Sequence, residues 1–582
     1  MVLPERGDTV FRSSAPQGNR SAMNGSSERR LRRRSFSERV SDGIMNKRSG
    51  ILAFALMLIV ASATLSSIAG CQNEAVGNED GDKERETFRP TGLPVVDKPI
   101  TLRIPMVKQP YFNDLNEMVT LRELERKTNI HIDWKQIPVE GFKDRLNLML
   151  AGGELPDAFF YGLGSQDVVK YGSLGVLVPL EGLIEQYAPN IRRTLAEYPQ
   201  VRRAATAPDG HIYSLPWFKD QEFFEYRNTF LINQTWLDAL GLKMPETTEQ
   251  FYRVLKAFKT NDPNGNGLAD EIPATFRYNV TTNGYYELFG AFGVVDAVNN
   301  LYIKNGKVGF EAVEPRYKEA IGYLHRLYGE GLIDQQTFTQ DSKQLLSKTK
   351  NDVPIVGVLA SFNGTLELDL ERLKQYVPMP PLAGPEGDRI WRRQDNRIIP
   401  NYFSITSANK HPEATMRLVD VMNDPKSVLQ FQQGPFGTHL KEREDGKIEV
   451  LYPPAGNDLG YWIGSVTPST ALPLMISKPW LDKVIPHETD QLRDRFYQVY
   501  KPFIAKEEET YPSLYLTPEQ NKRVSMLGAD INKYVRQMEA KWIVQGGVYA
   551  EWDAHLTELN RMGLGELMKI RQDAYDQYRR IR

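Results

Sequence analysis

Hydrophobic positions recur along this chain in two periods, and the alternation between them marks out the elements. Thr101-Leu102-Arg103-Ile104-Pro105 alternates as a strand does, and Leu115, Met118, Leu121 and Leu124 then recur at helical spacing, which predicts a helix over Asn116 to Lys127. Ile130 to Trp134 reads as a second strand, Phe142 to Leu150 as a helix closed by Gly152-Gly153, and Asp157 to Phe160 as a third strand. Strand, helix, strand, helix, strand predicts a parallel sheet covered by helices. Leu174 to Tyr187 and Pro208 to Trp217 supply loops and short strands. Thr229 to Asn233 is a further strand, and Thr247-Thr248-Glu249-Gln250 is a capping box opening a helix to about Lys259. Tyr317 to Tyr328 predicts an amphipathic helix, Val353 to Leu359 a buried strand, Ile399 to Thr406 a strand and Pro412 to Met422 a helix. The last third is helical over Leu492 to Tyr500, Asn521 to Trp542 and Tyr549 to Arg582.

One apolar run obeys neither period. Ile51 to Val60 is uninterrupted, follows Lys47 and Arg48, and gives way to small residues ending at Ile68-Ala69-Gly70-Cys71, which holds the only cysteine. The run is shorter than the roughly 20 residues a spanning helix needs and has no basic stop-transfer flank. A charged head, apolar middle and small-residue end form an export signal. Ile68 to Cys71 resembles a bacterial lipobox, which implies lipidation of Cys71, cleavage just before it and a membrane-anchored mature chain. Each buried methylene of such a lipid contributes roughly 0.8 kcal/mol. The bland alternative is a buried cysteine packed as a small hydrophobe. Residues 1–44 are rich in Arg, Ser and Gly without hydrophobic periodicity, so Met45 is the expected start. Arg33-Arg34-Ser35-Phe36 leaves a twin-arginine signal as the other reading.

Composition narrows the function classes. The chain carries 72 Lys+Arg against 74 Asp+Glu, and removal of residues 1–70 leaves 61 against 69, about −8. Its basic cluster, Arg29 to Arg34, would leave with the signal, so nucleic acid is not an expected partner. Roughly 510 residues remain, enough for two lobes with insertions. With Cys71 consumed, no intramolecular disulfide is available. There is no G-x-S-x-G elbow, H-E-x-x-H helix or G-x-x-x-x-G-K-[ST] loop, and no framed pair of carboxylates such as a glycosidase needs. The seven histidines are scattered singly.

The sharpest local motif is Asp262-Pro263-Asn264-Gly265-Asn266-Gly267-Leu268-Ala269-Asp270-Glu271-Ile272-Pro273. Oxygen side chains fall at positions one, three, five and nine of an EF-hand-like loop, with Gly267 at the sharp turn. Asp262, Asn264, Asn266, Asp270 and the Leu268 carbonyl form a calcium set. Position twelve is Pro273, so Glu271 must supply the remaining carboxylate. The alternative is an Asn/Gly turn with solvated side chains.

Several stretches, in order and spacing, resemble the extracellular solute-binding proteins of carbohydrate ABC transporters, specifically the large Gram-positive lipoprotein branch similar to alginate-binding periplasmic proteins. They are Gly153 to Asp157, Asp209 to Pro216, Gly329 to Asp334, His411 to Ala414 with Arg417 to Asp420, Trp542 to Gly546, and Glu551-Trp552 through Gly563-Leu564. Phe431 to Phe436 departs from the family's Tyr/Gly-rich turn before the last crossover. The resemblance covers about Ile100 to the C-terminus and implies an α/β, two-lobed periplasmic-binding-protein-like fold of type II with a helix-rich C-terminal part. It implies a tether over 71–98, lobe one over 99–228 and 378–430, and lobe two over 229–377 and 431–582. It further implies structural calcium in the Asp262 loop, and a cleft in which Tyr213, Trp217, Phe362, Trp462 and Trp480 stack on sugar while Asp220 and Asn363 bind hydroxyls. Each of these is individually as compatible with core or surface. The function implied is a monomeric, lipid-anchored, non-enzymatic receptor on the extracytoplasmic face, handing an oligosaccharide to ABC permease subunits. A peptide receptor on the same scaffold and a lipid-anchored polysaccharide hydrolase are the alternatives.

Overall fold

The computed structural model describes residues 88–454 and 459–581. The expected signal, Cys71 and the tether as far as residue 87 lie outside the described residues. The end of that expected tether is part of the fold. Val95 and Val96 in it are both buried, whereas Leu93 is exposed, and Phe88 bridges Val96. Arg89 N donates to Val95 O, and Val95 N to Thr128 O at 2.9 Å. The ordered chain thus starts before the predicted Ile100, because two adjacent valines find a core to enter.

Two four-stranded sheets, each beside its own main core, organise the architecture, with smaller two- and three-stranded sheets around them. In the first half, Ile100–Lys108 pairs in parallel with Ile130–Pro138, as the strand-helix-strand pattern predicts. Ala158–Phe160 lies beside Ile100–Lys108, where Arg103 N donates to Asp157 Oδ2 and Asp157 N to Arg103 O. Ala158–Phe160 opens a separate four-stranded sheet that runs on through Ile398–Ile405, Leu215–Lys219 and Met475–Ile476. In the second half the order is Tyr376–Pro378, Thr229–Asn233, Val356–Ser361, Ile272–Thr275.

The hydrophobic clusters follow this division. One holds Leu102, Ile132, Phe160, Leu215, Phe218, Phe403, Leu418, Leu440, Leu474 and their neighbours. The other holds Phe223, Trp236, Phe258, Tyr285, Leu324, Met379, Trp391, Trp542, Leu559 and theirs. Two expected boundaries are corrected by this. Met379, Leu382 and Trp391 pack in the second core, although 378–430 was assigned to lobe one. Leu440, Ile448, Val450 and Ala471 to Ile476 pack in the first, although 431–582 was assigned to lobe two. The reason is strand pairing: Met475–Ile476 adds in parallel to Leu215–Lys219 and draws the preceding segment with it. The chain therefore crosses between cores from Phe218 to Phe223, from Trp391 to Tyr402 and from Ile476 to Tyr497, and Tyr515 alone then reaches back into the first core.

Helix ends follow local chemistry. Thr247 Oγ1 accepts from Gln250 N at 3.2 Å, as the capping box predicts, but the Gln250 carboxamide reaches Glu246 N, one residue further out. The expected helix over Tyr549 to Arg582 is two, Val548–Arg561 and Leu564–Arg580. Gly563, at φ +92°, turns the chain between them in a conformation that side-chain-bearing residues avoid. Pro518–Gln545 is a 28-residue helix with a complete Thr517/Gln520 capping box. Among the described residues, no helix is long and apolar enough to cross a membrane.

Candidate functional site: a cleft between the two cores

A cavity of about 650 Å³ lies where the two halves face each other. Gln200, Arg203 and Ala204 of helix Pro199–Ala205 form its wall from the first half, with Ile398 and Pro400 at the start of the central strand. Asp296, Val298, Asn299 and Ile303 form the opposing wall. Crossing residues Arg392 to Asn396 form its back, and Thr510 to Ser513 with Tyr575, Tyr578 and Arg579 close it from the C-terminal part. A neighbouring cavity of about 370 Å³ shares Asp296, Asn299, Pro400 and Tyr511 and extends to Ser165, Arg536 and Arg571.

Local hydrogen bonding fixes these walls. Asp296 accepts from Val298 N at 2.9 Å, Asn299 N at 3.2 Å and Asn299 Nδ2 at 2.8 Å, which holds the 296–299 turn. Arg393 is bound by Glu225 at 3.3 Å, and Arg397 by Glu225 at 2.9 Å and Asp395 at 2.6 Å. Asn401 takes a left-handed φ of +66° at an irregularity in the strand register. There it receives the Tyr515 hydroxyl at 2.5 Å and donates to Ser165 Oγ at 3.1 Å. The Tyr511 hydroxyl donates to Arg571 O at 3.0 Å, and burial raises its pKa. The Tyr578 hydroxyl is raised by the same cause. Tyrosine faces flanked by amides, hydroxyls and paired charges suit a polyhydroxylated solute, whose C–H faces stack on rings and whose hydroxyls need planar polar partners.

The seven residues expected to bind ligand lie outside both cavities. Tyr213 is buried in the first core, its ring against Gly172 and its hydroxyl donating to Asp209 at 2.9 Å. Trp462 stacks on His439 with centroids 3.8 Å apart, and Trp480 lies under the Lys483 ammonium at 4.0 Å. Asn363 accepts from Thr365 N and Oγ1 and so closes its own turn. Asp220 stands 4.0 Å from Arg397. Two of the seven do converge: Trp217 packs edge-on to Phe224 at 6.3 Å, and Arg493 lies over both Phe224 and Phe362. Packing fixed these orientations, and alternation along a strand says only that one face is inward. Tyr511, Tyr575 and Tyr578 were missed. The available signal was Tyr511-Pro512-Ser513-Leu514-Tyr515, a proline-containing aromatic stretch between helices that forms neither core strand nor helix face.

The Asp262 loop turns as its sequence predicts, with Gly265 and Gly267 at φ +71° and +76°. Asp262 accepts from Asn266 N at 3.1 Å and Gly267 N at 2.8 Å, and Asn266 Oδ1 from Leu268 N at 2.7 Å. The Asn264 and Asn266 amide nitrogens donate to Asp270, while their oxygens accept from Asn266 N and Leu268 N. Among the described residues no three His, Cys, Asp or Glu side chains stand close enough to hold an ion. Both Glu271 carboxylate oxygens, however, are buried without a hydrogen-bond partner. Burial raises the Glu271 pKa, and the charges of Asp270 and Asp262 raise it further. Two unpartnered carboxylate oxygens under the charges of Asp262 and Asp270 are the chemistry a hard cation would meet, so the loop's donor set fits one.

Comparison with known proteins gives a consistent family. Residues 110–428 match the model of the bacterial extracellular solute-binding proteins. The fructooligosaccharide ABC transporter substrate-binding protein FusA of Streptococcus pneumoniae is 32% identical over 548 residues, covering 90% of this chain and 98% of FusA. Its structure in complex with kestose superposes with a TM-score of 0.71 over 82% of this chain and 99% of that one. A further FusA structure, with the same score and coverage, is of an EF-hand mutant. An HMO-binding, ABC-transporter-associated solute-binding protein of Bifidobacterium longum infantis is 25% identical, with a TM-score of 0.73 over 83% of this chain and 99% of that one. With the fold, the cleft and these relatives in agreement, the chain belongs to the bacterial extracellular solute-binding protein family.

Proposed function

We propose that the chain is the receptor of an ABC importer and captures a neutral oligosaccharide in the cleft between its two halves, for delivery to a permease. The observation that carries this reading is the cavity of about 650 Å³, walled by both halves and lined by tyrosines, amides and internally paired arginines. The similarity to FusA over 90% of the chain supports it. Ligand favours the closed arrangement because only there do both walls touch it, and the three crossings between the cores are where the halves would hinge. Calcium held by Asp262, Asn264, Asn266, Asp270, Glu271 and the Leu268 carbonyl would pin the second half's loop and neutralise Glu271. Cys71 would anchor the mature chain through lipid, with no enzymatic step.

Isothermal titration with kestose, longer fructooligosaccharides, milk oligosaccharides and oligopeptides tests the reading. At least one oligosaccharide should bind with micromolar affinity or better. Binding of peptides alone would overturn it. Mass spectrometry of the mature protein tests the anchor, which requires a diacylated Cys71 as the first residue.

A further inference from the structure

We propose that the hinge carries an oxyanion subsite, formed by Arg493 with Arg227 at the ring of Phe362 and with Lys219 at the ring of Phe224, for a solute bearing a carboxylate or phosphate. This inference stands apart from the neutral-oligosaccharide reading.

Three cations pack on the Phe362 and Phe224 rings, and among the described residues none has a carboxylate within ion-pair distance. Arg493 is 3% exposed, and its guanidinium carbon lies 3.4 Å from the Phe362 centroid, 4.4 Å from Phe223 and 5.1 Å from Phe224. Its Nη2 donates to Phe223 O at 3.2 Å, and its Nε is buried with no partner. Lys219 is 6% exposed, and its ammonium has only the Phe224 ring, at 5.5 Å. Arg227 lies 4.7 Å from the same Phe362 ring and donates from Nε to Thr282 Oγ1 at 3.1 Å.

The nearby acids are committed or too distant. Glu225 and Asp220 face Arg393 and Arg397, Glu287 faces Arg392 and Asn228, and Glu222 faces Lys501. Asp490, on the helix of Arg493, acts on Lys219 and Arg493 only from beyond ion-pair distance. By contrast Arg392, Arg393 and Arg397, which line or adjoin the same crossing, each have a carboxylate within 4 Å. Buried charges are ordinarily paired, and ring contacts return only part of what desolvation costs. Burial also pushes the Arg493 guanidinium down to about 10 and lowers the Lys219 ammonium, the direction an adjacent anion would reverse.

The cluster lies beside the cleft: Phe224, Phe362 and Arg227 are partly exposed, and Thr282, which holds Arg227, follows Thr281 of the cleft wall. An oxyanion seated here would take the free Nε–H of Arg493 and the ammonium of Lys219 in charge-assisted hydrogen bonds.

The test is titration calorimetry with thermal shift at constant ionic strength, using inorganic phosphate, digalacturonate and kestose as separate probes. An anion should bind saturably and raise the melting temperature. Lys219→Met and Arg227→Gln should each weaken it by ~10-fold or more, while kestose binding is kept. Arg493→Lys, which keeps the charge but loses the fork, should weaken it less than either. Digalacturonate acting at much lower concentration than phosphate assigns a sugar acid as the ligand, and equal action assigns a free anion. No saturable response to either anion, or an equal response in wild type, Lys219→Met and Arg227→Gln, would overturn the subsite. Loss of kestose binding with the anion response intact would count against the oligosaccharide reading alone.

Discussion

Arg392 and Glu287 face each other at 3.3 Å with side chains 4% and 1% exposed, at the point where the second crossing leaves the second core. Asn228 also donates to Glu287, at 2.9 Å, and Trp391 Nε1 donates to Asn228 O at 3.0 Å, so one buried network ties the second crossing to the second core. Removing one member leaves the other charge buried and unmet. Glu287→Leu should therefore cost about 3–5 kcal/mol in chemical denaturation. Glu287→Leu with Arg392→Met should recover much of that loss. A single variant within ~1 kcal/mol of wild type would show that water reaches the pair.

Glu539 is buried on the 28-residue helix, where it accepts from the Tyr285 hydroxyl at 2.7 Å and the Tyr317 hydroxyl at 2.9 Å. Burial raises its carboxyl from 4.5 to about 7, against the two hydrogen bonds, which lower it. Between those values the folded state holds a proton that the unfolded state has lost. Stability from this group is thus complete below pH 4.5 and falls as pH rises to about 7. The loss should reach about 3 kcal/mol. Glu539→Gln should flatten that part of the stability profile, measured by urea denaturation from pH 4 to 8. An unchanged slope would mean that Glu539 is ionised in the fold throughout.

Tyr511 and Tyr575 line the cleft, whereas Trp480 and Trp462 pack elsewhere against Lys483 and His439. Tyr511→Ala should weaken oligosaccharide binding ~10-fold, the worth of a stacked ring. Trp480→Ala should leave it within error. Calorimetry showing the reverse order would move the sugar to the face that the sequence resemblance implies.

The two unpaired oxygens of Glu271 support the proposed calcium site in the Asp262 loop. Chelator should lower the melting temperature and excess calcium should restore it. Asp262→Ala and Glu271→Gln should both remove this response, Glu271→Gln with less loss in the chelated protein because no buried charge is left behind. A chelator effect that persists in both variants would place the ion elsewhere.

Much of the fold was legible because its signals are local. Alternation over Thr101 to Pro105 and the apolar spacing after Leu115 produced the first strand and helix, and Thr247 capped its helix as written. Gly267 turned the Asp262 loop because backbone geometry admits little else there. The break at Gly563 and the docking of Val95 and Val96 were not legible, since both depend on what the segment packs against.

The sequence by itself determined the element order, the glycine-pinned loop and the family, because caps, periods and short motifs act over a few residues. Tertiary structure alone decided which residues meet. Tyr213 and Tyr511 are chemically alike, yet one closes a core against Gly172 and the other lines a cleft. The difference comes from strand pairing and chain crossings hundreds of residues apart, and it is these that leave Arg493 buried without a carboxylate beside it.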